Sequence, residues 1–241
     1  MTLLKCVKCQ RTTQFTWTLT SEPLCRRHFL KRFYDNIKVL LSSPVLTPTS
    51  TIKIVFNGSL ASKVLLHAIC EIEKPFPSVR IVVLKEEGLD VDPLPRDRIL
   101  LEEENIPKLP SELFEMMEQI FIKYVLPLKK SELVLLPLTI EEYAAALIYL
   151  LLNKKYNTLK YMVAHPKLRF PLAGLFLNDI INYAKIMGIS SKKYFTVERK
   201  GLFKWILYLL EKSFETSPTS LHSIRSFFEN IFTESTFSNY A

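Results

Sequence analysis

Cys6-Val7-Lys8-Cys9 and, fifteen residues on, Cys25-Arg26-Arg27-His28 form the chemically most specific pattern in the chain. Each C-x2-C or C-x2-H pair sets two ligands on one tight turn, and two such turns close a tetrahedron around Zn²⁺. Four protein ligands leave no open position, so the expected role is structural rather than catalytic. A unit of thirty residues cannot build its own core, and a metal would supply its folding energy. Coincidence and a disulfide pair are the rival readings. The opening MTLLKCVKCQ has no apolar stretch of the kind an export signal carries, which disfavours the disulfide. The fourth cysteine, Cys70, falls in an apolar helical pattern and is expected in the core.

A second candidate is the turn Phe56-Asn57-Gly58-Ser59-Leu60-Ala61-Ser62, between a strand pattern and a helix pattern. Free N–H groups at such a helix N-terminus bind phosphate. Here only Gly58 lets the backbone approach closely, no carboxylate stands by to hold Mg²⁺, and Lys63 comes a turn too late. On its chemistry this is a weak anion site, and ATP binding is doubtful. His67, His165 and His222 have no partners at ligand or triad spacing, and no G-x-S-x-G, H-E-x-x-H or G-x4-G-K-[ST] occurs.

The elements that must position these residues follow from periodicity. Gln14–Thr20 alternates aromatic and Thr residues and reads as a ribbon strand filled by Phe15 and Trp17. In residues 29–42, Phe29, Phe33, Ile37, Leu40 and Leu41 share one helix face, and 43–50 is a Pro/Ser/Thr linker. Strands are expected at Thr51–Phe56, Val79–Leu84 and Glu132–Pro137. Helices are expected at Leu60–Glu73, Ser111–Val125 with Ser111 as N-cap, and Thr139 to about Leu152 with a Thr139/Glu142 capping box. Residues 85–110 read as a polar loop, Tyr161–Ala164 as a short strand and Leu168–Leu172 as extended. Phe176–Met187, Gly201–Phe214 and Thr219–Phe232 read as helices, before a polar, fraying tail at 233–241. Strand–helix alternation from residue 51 implies a parallel sheet with helices on both faces, whose ligands bind at the carboxyl ends of the strands. The domain reading is 1–42 ribbon plus basic helix, 43–50 linker, 51–232 α/β domain and 233–241 tail.

Composition narrows the function classes. Of 241 residues, 48% are apolar and 23% charged, which excludes wholesale disorder. The longest apolar run, Tyr143–Leu152, is half of what a bilayer requires, so a soluble cytoplasmic protein with no membrane partner is expected. Five glycines, where average usage would give roughly 17, leave little room for phosphate-cradling loops. The net charge of +8 is concentrated at one end: residues 1–40 hold eight Lys/Arg against Glu22 and Asp35, a balance of +6. That asymmetry points to a polyanion, nucleic acid before membrane surface, with a solvated charged face as the plain alternative. Glu102-Glu103-Glu104 reads as a solvated acidic loop.

Taken together, CVKC…LCRRHFLKRF, a linker and IVFNGSLAS resemble the cytoplasmic tRNA 2-thiolation protein 2 family, relatives of the PP-loop ATP pyrophosphatases. The leucine-rich strand Leu133-Val134-Leu135-Leu136-Pro137 and the element Arg169-Phe170-Pro171-Leu172 before a helix are similar to that family's later blocks, in the same order. The resemblance implies a Rossmann-like PP-loop α/β fold preceded by a zinc ribbon. Against the S-G-G-x-D-S loop of intact relatives, Asn57 replaces Ser, Gly58 is kept, Ser59 replaces Gly, Ala61 replaces Asp and Ser62 is kept. Intact relatives also carry internal sulfur-handling cysteines and a second cysteine set at the C-terminus, whereas this chain offers only Cys70. His28 stands where the family usually has a fourth Cys.

These departures imply a non-catalytic subunit of the complex that thiolates the wobble uridine, U34, of cytosolic tRNAs. Its implied partners are a catalytic paralogue, tRNA and, through the complex, a ubiquitin-like sulfur carrier. Arg26, Arg27, Lys31 and Arg32 become tRNA-backbone contacts, with Lys192, Lys193, Arg199, Lys200 and Lys204 as a second basic cluster. Rival readings are an active ATP-dependent tRNA thiolase with an altered loop, and a zinc-ribbon interaction protein with no RNA role.

Overall fold

The computed structural model describes residues 4–41, 50–91, 100–110, 112–129, 131–194, 196–197, 199–217 and 219–237. The N-terminal unit has two minimal antiparallel pairs, β1 (Leu4–Lys5) with β2 (Thr12–Thr13) and β3 (Thr16–Trp17) with β4 (Glu22–Pro23). They lead into α1 (Arg26–Leu41), which buries Phe29, Phe33, Ile37 and Leu41 at i, i+4, i+8 and i+12. Leu40, expected on that face, is only half-buried at its edge.

The main sheet has five parallel strands in the order β7 (Leu100–Ile106), β6 (Arg80–Glu86), β5 (Thr51–Phe56), β8 (Glu132–Leu135), β9 (Leu168–Arg169). Thr51 pairs with Arg80 on one side and with Glu132 on the other, so β5 is central. The crossovers are α2 (Leu60–Glu73), α3 (Leu113–Ile120) with a π-helical turn at Phe121–Val125, α4 (Ile140–Leu152) and α5 (Tyr156–Ala164). After β9 come α6 (Leu177–Met187), α7 (Gly201–Thr216) and α8 (Ser220–Phe237).

The strands alternate between two cores. Ile52, Ile54, Ile81, Val83, Leu133 and Leu135 face a layer holding the ribbon, α1, α2 and α6. Val55, Val82, Leu84 and Val134 face the layer of α3, α4, α5, α7 and α8. Helices therefore cover both faces, as the strand–helix alternation requires.

The ribbon shares the first of these cores. Trp17 lies 5.5 Å from Phe29, and Phe33 stacks on Tyr183 of α6 at 4.2 Å. Asp179, at the N-terminus of α6, accepts hydrogen bonds from the N–H (3.0 Å) and hydroxyl (2.8 Å) of Thr18.

Three expectations for local structure are corrected. Residues 100–106, read as loop, form β7, the edge strand. The run Glu102-Glu103-Glu104 hides it from apolar periodicity, but Arg80 pairs with Glu102 and Lys85 with Glu103 across β6. Tyr161–Ala164, read as a strand, is the end of α5, which buries Leu159 and Met162 at i and i+3. Gln14–Thr20 keeps only Thr16–Trp17 as strand. Ser111, expected as an N-cap, and all but Ser50 of the expected linker lie outside the described residues. The last helix continues to Phe237.

Candidate functional site

Two places carry the chemistry: the cysteine–histidine cluster of the ribbon, and the crevice at the carboxyl ends of β5 and β8.

Cys6 ends β1 and opens a turn closed by Gln10 N–H to Cys6 O (2.8 Å), with Gln10 left-handed at φ 60°. Cys25 directly precedes α1, and His28 sits in the first helical turn. The four ligand atoms lie within 4.8 Å of one another, the only such group of three or more among the described residues. Cys6 Sγ is 3.4 Å from His28 Nδ1, Cys25 Sγ is 3.4 Å from the same nitrogen, and Cys9 Sγ is 3.6 Å from Cys25 Sγ. A tetrahedron with Zn–S bonds of 2.3 Å has edges of about 3.7 Å, so these spacings fit one small tetrahedral ion. An iron–sulfur cluster would hold its thiolates further apart. Burial opposes ionisation of the Cys6 thiol, but the Cys25 and Lys8 amides and the His28 ring bring it down to about 6. That favours the thiolate a metal needs. Cys70 lies in α2 with its thiol pushed up to about 12 by burial, which makes it inert.

The crevice lies where successive connections leave β5 in opposite directions, the usual ligand position in such sheets. Here the chain fills it with its own residues. Leu60 N–H, at the start of α2, donates to Lys193 O at 2.6 Å. Ser59 N–H donates to Asn57 Oδ1 (3.2 Å), and Ser62 N–H to Ser59 Oγ (3.1 Å), the N-cap bond. Three of the donors at this turn, the N–H groups of Ser59, Leu60 and Ser62, are thus engaged within the chain. Asn57 Nδ2 donates to Thr196 O (2.9 Å), the Thr196 hydroxyl donates to Pro137 O (2.8 Å), and Ser191 Oγ donates to Gly58 O (2.9 Å). Asn57, Ser59, Ala61 and Ser62 are buried, and Gly58 supplies the left-handed turn at φ 71°. Lys193, Thr196 and Val197 form a strap lying against this turn. Beside it lies a cavity of about 730 Å³, lined by Asn57, Glu86, Lys108, Lys193, Tyr194 and Lys200.

The strap is latched by Glu142. This residue completes the expected capping box with Thr139, and its Oε1 also accepts from Thr196 N–H (2.7 Å) and Val197 N–H (2.9 Å). Burial pushes the Glu142 carboxyl up to about 7 against these bonds. Neighbouring Glu141, which accepts from Leu177 N–H at 2.9 Å, is raised to about 7 for the same reason. Asp179 is raised to about 6, again by burial. Sequence reasoning found the capping box but missed the latch, because Thr196 lies 54 residues away and carries no motif.

The candidate RNA-facing residues are not equivalent. Arg26 and Arg27 are exposed on the first turn of α1. Lys31 pairs with Asp35 at 2.7 Å. Arg32 pairs with Glu22 and lies 4.9 Å over the Trp17 ring, so it fastens the ribbon. In the second cluster Lys192 and Lys204 are exposed, Lys193 reaches Asn57 O at 3.4 Å, and Arg199 pairs with Glu211 at 2.7 Å. The described residues contain no helix long and apolar enough to cross a membrane.

No protein-family model matches the sequence, and no curated protein matches it. Solved structures do. The U34-tRNA thiolase NcsA from Methanococcus maripaludis, described with its [4Fe-4S] cluster, has a TM-score of 0.77 at 16% identity, covering 97% of this chain and 88% of that one. An NH3-dependent NAD synthetase from Campylobacter jejuni, in complex with a nitrate ion, has a TM-score of 0.43 at 13% identity, covering 89% and 96%. The first likeness gives the chain the fold of that thiolase over nearly its whole length.

Proposed function

We propose that this chain is a non-catalytic subunit of a cytosolic complex that thiolates the wobble uridine of tRNA. The observation that carries the reading is the pairing of a thiolase-like fold with a crevice closed by its own strap. The turn keeps one of the two glycines of an intact PP-loop, carries Ala61 in place of the carboxylate, and spends the N–H groups of Ser59, Leu60 and Ser62 internally. The sulfur-handling cysteines implied by the family pattern have no counterpart, since Cys70 is buried, alone and un-ionised. Such a copy retains surfaces and loses chemistry.

In this reading the ribbon holds a structural Zn²⁺ through Cys6, Cys9, Cys25 and His28. Arg26 and Arg27, with Lys31 and Arg32 behind them, meet the tRNA backbone. Adenylation of the uridine occurs on a catalytic paralogue with an intact loop, and sulfur arrives on a ubiquitin-like carrier. The test is mass spectrometry of nucleosides from total tRNA after depletion of this protein, with the paralogue's level monitored. Loss of wobble 2-thiouridine while the paralogue persists supports an obligate subunit. Unchanged 2-thiouridine overturns the reading. ATP turnover by the isolated chain overturns the non-catalytic half of it.

A further inference from the structure

The ribbon and α6 flank a second cavity, of about 480 Å³, which shares no residue with the cavity beside the strap. Small-ligand pockets span roughly 300–1,000 Å³, so there is room for one compact ligand. Thr16, Trp17 and Ser21 line it on the ribbon side, and Asn178, Asn182 and Lys185 on the helix side. The three helix residues fall at i, i+4 and i+7, one stripe of α6, while Ile180, Tyr183 and Ala184 are buried in the core. Asn182 donates one N–H to Thr16 O at 3.3 Å, which orients its amide and leaves the oxygen and the second N–H unspent among the described residues. Asn178 and Lys185 are exposed, and neither side chain has a hydrogen-bond or ion-pair partner among the described residues. The stripe thus aims unspent amide and ammonium groups into a cleft that the ribbon completes.

The lining narrows the occupant. A metal cation has no seat. Glu215, the one carboxylate in the lining, is paired with Lys212 at 2.9 Å, and neighbouring Asp179 spends its oxygens on Thr18 and on the Phe176 N–H. A polyphosphate would call for several cations, and the lining holds one, Lys185. Two amides that both donate and accept match the mixed donor and acceptor edge of a nucleobase. Trp17 and Phe214 add apolar wall for its ring, and a single ammonium suits a single phosphodiester. Lys185 stands seven residues beyond Asn178, about 10 Å along the helix axis, a span that a base and its phosphate bridge. The ribbon side carries the basic excess: Arg26 and Arg27 are exposed at the start of α1, and Arg32, shared with Glu22, lies over the Trp17 ring. We infer that this cleft seats one unstacked nucleotide of an RNA, its base edge on Asn178 and Asn182 and its phosphate on Lys185. This rests on the RNA-facing role proposed above and names a site for it outside the basic turn of α1.

The experiment uses the full-length chain carrying Trp205→Phe, which leaves Trp17 as its one tryptophan. The probes are a transcribed tRNA and an RNA duplex with the same number of phosphates, titrated over a range of salt. The parent chain is expected to bind the tRNA more tightly than the duplex, whose bases stay stacked, and the tRNA is expected to quench Trp17 emission. Asn178→Ala and, separately, Asn182→Ala are expected to weaken tRNA binding about tenfold, reduce the quenching, and leave duplex binding and the salt slope unchanged. Lys185→Gln is expected to lower the slope of log affinity against log salt by about 1. Melting temperatures are compared throughout, and Asn178→Ala, at an exposed side chain, decides the matter if Asn182→Ala loosens the ribbon. Binding and quenching by Asn178→Ala equal to the parent's overturn the cleft as a site and leave the RNA-facing role standing. Equal losses on tRNA and duplex overturn the unstacked base as its occupant. Absence of tRNA binding by the parent chain overturns the RNA-facing role itself.

Discussion

Replacing Glu142 with Ala should unlatch the strap. Glu142 Oε1 accepts the N–H groups of Thr196 and Val197 at 2.7 and 2.9 Å, both buried. Two orphaned buried donors cost roughly 1–3 kcal/mol each, or roughly 2–6 kcal/mol for the closed strap. The variant also relieves the expense of burying a carboxylate, which in the native chain shows as a pKa raised to about 7. That relief offsets part of the loss, so a net cost of about 1–3 kcal/mol, or a rise in strap opening of roughly 5- to 150-fold, is expected. Amide hydrogen exchange read on peptides spanning 190–197 measures it directly. Peptides from β6, away from the crevice, serve as reference. Faster exchange confined to the strap and the start of α2 is the expected result. Unchanged strap exchange, or equal acceleration everywhere, would show that Glu142 is a core strut and refute the latch.

Four further outcomes follow from the same geometry. Chelation or Cys6→Ser should release one zinc ion per chain, read by elemental analysis, and should red-shift Trp17 emission, because Trp17 packs on the helix that starts at the site. Ala61→Asp, which puts the missing carboxylate back, should yield no ATP turnover while the strap fills the turn; it should lower stability by several kcal/mol, since position 61 is fully buried. Glu141, Glu142 and Asp179 have folded-state pKa values raised to about 7, 7 and 6, so the unfolded chain ionises first as pH rises. Their contribution is full near pH 4 and is lost towards pH 7, and Glu141→Gln should flatten that slope in denaturant midpoints measured across the window. Arg26→Gln with Arg27→Gln should weaken tRNA binding and reduce the salt dependence of log affinity by about 2, with a smaller effect for Lys31→Gln, whose charge Asp35 partly offsets.

How legible the molecule was depends on the range of the forces. Thr51–Phe56 and Leu60–Glu73 were readable to the residue, because a β-branched run, a glycine turn and a serine cap act locally. The Thr139/Glu142 box was readable for the same reason. The gathering of Cys6, Cys9, Cys25 and His28 was legible from spacing alone, since two short turns that each carry two such side chains bring them to one point. β7 was not legible, because two of its three glutamates, Glu102 and Glu103, are matched by Arg80 and Lys85 on the neighbouring strand, and such matching leaves no local trace. The strap was the largest omission. Its hydrogen bonds join residues 54 to 139 positions apart, and nothing in Thr196 or Val197 announces them.

The glutamate-rich edge also governs how the protein behaves in company. A parallel sheet that ended in an apolar β7 would present a seven-residue template to any unfolded neighbour. Three carboxylates in succession at that margin, only partly neutralised from β6, make each further strand repel before it can pair. The run of like charge that disguised the strand is thus what keeps the sheet finite, and solutions of the protein should tolerate crowding that would drive a neutralised edge into fibrils.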